Sequence, residues 1–298
     1  MASTILKDAG SGVEQLWFHQ LAPSAEALDA LLHKLDLPND LFEDLLITEQ
    51  SPRLERVGSF LLLVMQFPWR SGGTAGECVL RPFALLWGDG RLWTFAEVEW
   101  PFLGQWNARK FEDPRQTLIW ILQILSSSYQ HTVERLRHEI LKVESRLDAT
   151  QRTEDFYALL ALSKALTRFY VTLASNIVAI FKISRSAALG WQDENRSALN
   201  HAIADLQHAR DRAEISANTA NDMMDAYAGM VQININHGLK VLTVIALVLY
   251  VPSLVATIFG VNVPLFEQQS HWTVWVAIGF AFLISIAMTL HFKRRGWL

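Results

Sequence analysis

Two uncharged runs near the end of the chain constrain it most. Val241–Phe259 and Trp272–Leu290 are each 19 residues long and contain no Asp, Glu, Lys or Arg. At 1.5 Å per residue each would form a helix of about 28 Å, close to the roughly 30 Å hydrocarbon core of a bilayer. A water-soluble fold would have to bury both helices on every side. The 12 residues between them, Gly260–His271, carry one charge, Glu267. The pair reads as a membrane hairpin surrounded by lipid. Lys240 precedes the first run, and Lys293, Arg294 and Arg295 follow the second. The positive-inside rule then predicts a multi-pass protein with both termini in the cytoplasm and the loop outside.

The rest of the chain is polar enough to form a soluble region of over 200 residues. A net charge of −4 gives no basic surface for nucleic acid. The single cysteine, Cys78, excludes an intrachain disulfide framework. No apolar core of signal-peptide length occurs in the first 12 residues, so the soluble part is expected to stay in the cytoplasm.

Residues 1–112 read as an α/β domain. Short strands are predicted at 13–18 and 59–67, the second stopped by Pro68. Helices are predicted at 25–35, where Leu28, Leu31, Leu32 and Leu35 share a face, and at 40–47. Val79–Trp87 and Arg91–Glu97 flank Gly88–Asp89–Gly90, and Asp-Gly between two apolar runs signals a hairpin. Residues 113–190 read as two long amphipathic helices, one opened by Asp113–Pro114 and reaching about Thr150, the other running from about Thr153 to Ser186.

The third long helix is the most informative. No proline and only two glycines, Gly229 and Gly238, occur between Asp193 and Val251. A helix from 192 to 259 would measure about 100 Å. It joins a stem, 191–237, to the hairpin, 238–298, whose spans cover about 239–259 and 272–292. One heptad stripe reads Leu199, Ile203, Leu206, Arg210, Ala213, Ala217, Ala220, Met224, Tyr227, Val231. A second reads Asn218, Asp222, Asp225, Gly229, Gln232, Asn236, Leu239, Thr243, Ala246, Tyr250, Ser253, Thr257. It is mostly polar or small and continues to membrane depth, where polar groups need partners or water. Two readings are open on periodicity alone: a pore face in a symmetric oligomer, or a helix–helix contact built from small residues.

Lys240–Val241–Leu242–Thr243, the proline within the span, Gly260–Val261–Asn262 directly after it, and the basic ending Lys293–Arg294–Arg295–Gly296–Trp297–Leu298 resemble CorA-type divalent-cation channels. This is the two-transmembrane G-x-N family, which includes ZntB-type and CmaX-like proteins. The resemblance implies an α+β fold: a cytoplasmic α/β funnel domain, a stem helix continuous with a pore-lining transmembrane helix, and a second transmembrane helix at the C-terminus. It implies a homopentamer in a cell inner membrane. It further implies that Gly260, Val261 and Asn262 form the outer mouth, with Asn262 meeting a hydrated ion. Asn236 matches the inner pore asparagine, and Leu242 and Tyr250 match the hydrophobic constriction. Thr243, Ser253 and Thr257 then line the pore. Asp225, with Asp222, matches an acidic ring at the cytoplasmic end, and Glu267 stands in the outer loop as a cation attractant. Asn262, Asn236 and Asp225 are thus the implied metal contacts.

The tripeptide is GVN where the family has GMN, a kind of variation found among ZntB-type members. The transported ion is therefore open among Mg²⁺, Zn²⁺, Co²⁺ and Ni²⁺, with no covalent cofactor. The residues His138–Glu139 lack the second histidine of a zinc-protease motif, because Lys142 stands there. No phosphate-binding loop or C-x-x-C occurs, and the chain reads as a transporter rather than an enzyme. The alternative is a membrane-anchored regulatory or interaction protein of the same architecture that has lost conduction.

Overall fold

The computed structural model describes residues 17–23, 25–38, 51–70, 78–100, 113–150, 152–260 and 271–297. They include strands β1 (Trp17–Leu21), β2 (Arg53–Val57), β3 (Phe60–Arg70), β4 (Cys78–Gly88) and β5 (Arg91–Ala96). The helices are α1 (Ala25–Leu35), α2 (Pro114–Thr150), α3 (Thr153–Ser184), α4 (Asp193–Gly260) and α5 (His271–Arg294). The chain divides into two compact units, one ending at Met224 and the other starting at Asp225, and α4 contributes to both.

In the first unit the strands lie in the order β1-β5-β4-β3-β2. β1 runs parallel to β5, and the other pairs are antiparallel. The expected Asp-Gly hairpin is present. Gly88 pairs with Arg91, and Asp89 and Gly90 between them have φ of 50° and 70°. Positive φ at both central residues is the turn whose twist matches a two-residue hairpin. At Gly88 a Cβ would lie 2.0 Å from the Phe60 ring, so that position has room only for glycine.

Two expectations are displaced or corrected, and one strand is new. The first strand lies at 17–21, and residues 13–16 fall outside the described residues, as does the helix expected at 40–47. β2 was not foreseen, because Arg53, Glu55 and Arg56 give it the polarity of a loop. It is an edge strand with mostly half-buried side chains, joined to β3 by Gly58 at φ 59°. Pro68 does not stop β3, which runs on to Arg70. Pairing with β2 ends at Val64, so beyond that point β3 has β4 on one side only. Gln66 turns its N–H and C=O away from β4, and residues two apart in a strand present their backbone groups to the same side. Pro68 therefore aims its missing donor at the open edge, where a strand tolerates proline.

The sheet is buried on both faces. Phe60, Leu62, Val64, Ala84, Leu86, Trp93 and Phe95 pack with Leu28 and Leu32 of α1. The alternate residues Leu61, Leu63, Met65 and Leu85 are equally buried on the other face, which α2 and α3 cover. Two side chains fix these helices to the open edge of β3. The Asn176 amide donates to the Gln66 carbonyl at 3.0 Å and accepts from the Gln66 N–H at 3.2 Å. The Tyr129 hydroxyl donates to the same carbonyl at 2.9 Å and accepts from Asn176 at 3.1 Å. Both side chains are fully buried. Burial pushes the Tyr129 phenol well above its ordinary pKa, so it remains a donor.

Helix α2 starts where expected. The Asp113 carboxylate accepts the Arg115 N–H at 2.8 Å, with Pro114 at the first helical position. Gly190, at φ 52°, ends the short turn after α3, and Trp191 donates to the Ile183 carbonyl at 3.0 Å. Of the expected seam of α4, Leu199, Ile203, Leu206, Ala213, Ala217 and Ala220 are buried, Arg210, Met224 and Tyr227 are half-buried, and Val231 is exposed. Ser163 of α3 donates to the Asn221 side chain at 2.7 Å, tying α4 to the bundle.

A second buried polar group sits where β1 meets β5. Thr94 accepts from the Trp17 indole at 2.9 Å and bonds His19 Nδ1 at 2.8 Å. His19 Nε2 is buried without a hydrogen-bond partner among the described residues. Desolvation lowers the His19 pKa from 6.5 to about 4. Because the folded-state value is the lower one, the neutral ring stabilises the fold above pH 6.5, and that contribution is lost as pH falls towards 4.

Three outcomes are expected. Relative to His19→Gln, the wild type loses about 3 kcal/mol of unfolding free energy between pH 6.5 and 4, measured by denaturant unfolding in detergent. Asn176→Ala removes three hydrogen bonds and Tyr129→Phe two. The first should destabilise by about 2–3 kcal/mol and the second by about 1 kcal/mol, read from the same denaturation curves.

Candidate functional site

The second unit contains the end of α4 and all of α5. By length and composition α3, α4 and α5 could each cross a membrane. Burial separates them: the most apolar window of α3 is 44% buried, against 6% for α4 and 11% for α5. The apolar residues of α3 are committed to the sheet and its neighbouring helices. Those of α4 and α5 are uncovered.

Within this unit α4 has two distinct faces. Val241, Val244, Val248, Val251, Pro252 and Val255 are its less exposed residues, and Val244 is fully buried. On α5 the matching buried residues are Ala281 and Ser285, small side chains that let two helices approach closely. Asn236, Leu239, Thr243, Ala246, Tyr250, Ser253 and Thr257 are all exposed. At 100° per residue their stripe lies about 150° around the helix from the valine face. The polar stripe therefore points away from α5, which removes the contact between the two spans as the reason for its composition.

Local bonding fits that arrangement. Thr243 donates to the Leu239 carbonyl at 2.7 Å, and Thr257 to the Ser253 carbonyl at 2.8 Å. The Gln232 amide donates to Asn236 Oδ1 at 3.3 Å. Pro252 lies inside the helix without breaking it. Its missing N–H would have bonded the Val248 carbonyl, and Ser285 of α5 donates to that carbonyl at 3.1 Å. The proline was visible in the sequence; its partner 33 positions later was not.

Leu242 is exposed on the flank of the stripe. Asp222 and Asp225 occupy consecutive exposed turns of α4, one at the end of the first unit and one at the start of the second. Gly260 is the last residue of α4. Val261, Asn262 and Glu267 lie outside the described residues. The outward faces of α5 are apolar, with Trp272, Trp275, Phe280, Phe282 and Leu283 exposed. Past its C-terminus the Trp297 ring lies tilted against Phe292, with centroids 5.4 Å apart, and the Lys240 ammonium sits 5.9 Å from the centre of the Trp297 ring. That contact joins the two predicted ends of the hairpin on one side.

Among the described residues no group of three or more His, Cys, Asp or Glu side chains is clustered to hold a metal ion. Asn236, Asp222 and Asp225 sit on one helix, so a ring of such donors requires several copies of the chain.

Residues 14–294 match the family described as CorA-like Mg²⁺ transporter protein. The cobalt/magnesium transport protein CorA of Methanocaldococcus jannaschii is 24% identical over 181 residues, which is 60% of this chain and 56% of that protein. The match thus spans little more than half the length of that relative. The complete structure of the CorA magnesium transporter from the same organism superposes with a TM-score of 0.85 at 20% identity, covering 98% of this chain and 95% of the other. Full-length CmaX superposes with a TM-score of 0.73 at 15% identity, covering 94% and 91%. These superpositions establish a shared fold: a soluble α/β region, long helices and a C-terminal helix. With a family match that runs through nearly the whole chain, the protein belongs to the CorA-like Mg²⁺ transporter family.

Proposed function

We propose that the chain forms a homopentameric inner-membrane pathway for divalent metal cations, with α4 lining the pore and α5 ringing it towards lipid. The observation that carries this reading is the polar stripe of α4 on the side opposite α5. A stripe turned away from its own hairpin partner at membrane depth needs water or another copy of the chain, and a ring of copies around water supplies both. The relative's printed role in cobalt and magnesium transport supports Mg²⁺ and Co²⁺ as cargo, with Zn²⁺ and Ni²⁺ as further candidates.

In this reading each group has a role suited to a hydrated ion. Mg²⁺ gives up its waters reluctantly. Neutral amide oxygens of Asn262, presented after Gly260–Val261, accept hydrogen bonds from those waters without holding the ion too tightly to release it. Asn236 repeats that chemistry at the inner end. Leu242 and Tyr250 form the constriction, and Thr243, Ser253 and Thr257 wet the path between the asparagines. Asp222 and Asp225 concentrate cations at the cytoplasmic entry, and Glu267 does so outside. Both termini are cytoplasmic. The protein acts as a passive conduit, not an enzyme.

Uptake into proteoliposomes tests this directly. Wild type should pass Mg²⁺ or Co²⁺ above empty vesicles, and Asn262→Ala should lower or abolish selective flux at unchanged oligomer mass. Absence of flux for all four ions would return the reading of a non-conducting anchored protein. The mass in detergent should be that of five chains, and a monomer would refute the ring. Asp225→Ala should reduce flux more at low than at high salt, since the attraction is screened beyond about 10 Å at 0.1 M.

A further inference from the structure

The first unit holds a cavity of about 720 Å³ between the paired ends of β3 and β4 and the helices α2 and α3. Four cationic side chains line it: Arg70 of β3, Arg135 of α2, and Lys164 and Arg168 of α3. None of the four forms an ion pair among the described residues, where other arginines do pair with carboxylates. The one carboxylate in the lining, Glu139, is already engaged by Lys142 at 2.7 Å. A chain of net charge −4 has thus gathered four positive charges around one hollow, with Glu139 as the one carboxylate among the described lining residues. Like charges that outnumber the described carboxylates around one space repel one another, so the arrangement favours an anion between them. The four residues come from three separate elements, which is why no run of the sequence announced them.

The hollow is not purely polar. Val79, Leu162 and Ala165, all half-buried, contribute apolar surface, and Phe169 lies fully buried beneath it. A volume in the range of small-molecule sites, apolar walls and a few convergent charges together describe a ligand that has both a flat apolar part and a multiply charged part. We propose that this cavity binds a nucleoside polyphosphate, its phosphates among Arg70, Arg135, Lys164 and Arg168 and its base against the apolar wall. The inference is independent of what the second unit conducts. With no unpaired carboxylate among the described lining residues to receive a metal ion, the site favours the metal-free nucleotide over its Mg²⁺ complex.

Cys78 makes the cavity directly testable. It lines the hollow, and it is the only cysteine in the chain. Its thiol pKa is raised by burial, against the opposing influence of Arg135, Thr132 and Arg70. Maleimide labelling of the full-length protein in detergent therefore reports on this hollow alone. ATP with EDTA should slow Cys78 labelling and bind by calorimetry, one per chain, with Kd on the order of 10 μM. Excess Mg²⁺ should weaken the binding. The double variant Lys164→Ala/Arg168→Ala should weaken it at least about tenfold. Its oligomer mass and circular dichroism should match wild type, and Lys164→Arg should retain binding if the variant's loss reflects charge. The proposal is overturned by absence of saturable binding to about 1 mM ATP, by binding that leaves Cys78 labelling unchanged, or by equal affinity for tripolyphosphate.

Discussion

The first unit depends on how the open edge of β3 is closed. Beyond Val64 the strand has lost one neighbour, and the backbone groups of Gln66 face the gap. Asn176 fills it with a side-chain amide that donates to the carbonyl and accepts from the N–H, reproducing the reciprocal pair a neighbouring strand would make. Tyr129 adds a further donor to the carbonyl. Buried backbone groups must be satisfied, and here the satisfaction comes from two different helices. Two helices that share one peptide group are held in register with the sheet and with each other. The buried alanine-rich seam of α4 is then read against a frame whose geometry is already set.

Much of this was legible because periodicity and turn chemistry are local. The 3.6-residue repeat gave α1 at 25–35, the Asp113–Pro114 start of α2, and a third long helix whose 68 observed residues equal the expected length. The two-residue Asp-Gly loop located the β4–β5 hairpin. What escaped was non-local. β2 has the polarity of a loop, and only its pairing with β3 makes it a strand. Pro68 looked like a terminator because its tolerance depends on a neighbour that is missing. The cationic hollow escaped for the same reason, since its members are spread between positions 70 and 168.

For the candidate site the division is similar. The sequence displayed a polar stripe on α4 but left open whether it faced a pore or a helix. The structure adds the position of α5, seated on Val244 and Val248 through Ala281 and Ser285, and so assigns the valine face to the hairpin contact. The stripe is left facing outward from the pair. Positions 261, 262 and 267, which the sequence singled out, contribute nothing to that argument.

The threonines of that stripe have a further property. Each hydroxyl has one proton, and in Thr243 and Thr257 it is given to the carbonyl one turn earlier in the same helix. The lone pairs remain directed outward. A hydroxyl is usually neutral between donating and accepting, but here the helix has fixed its sense. Whatever meets this face encounters electron pairs rather than protons. Water lying against it turns its hydrogens towards the protein and its oxygen outward, the same orientation as a water in a cation's hydration shell, whose hydrogens point away from the ion.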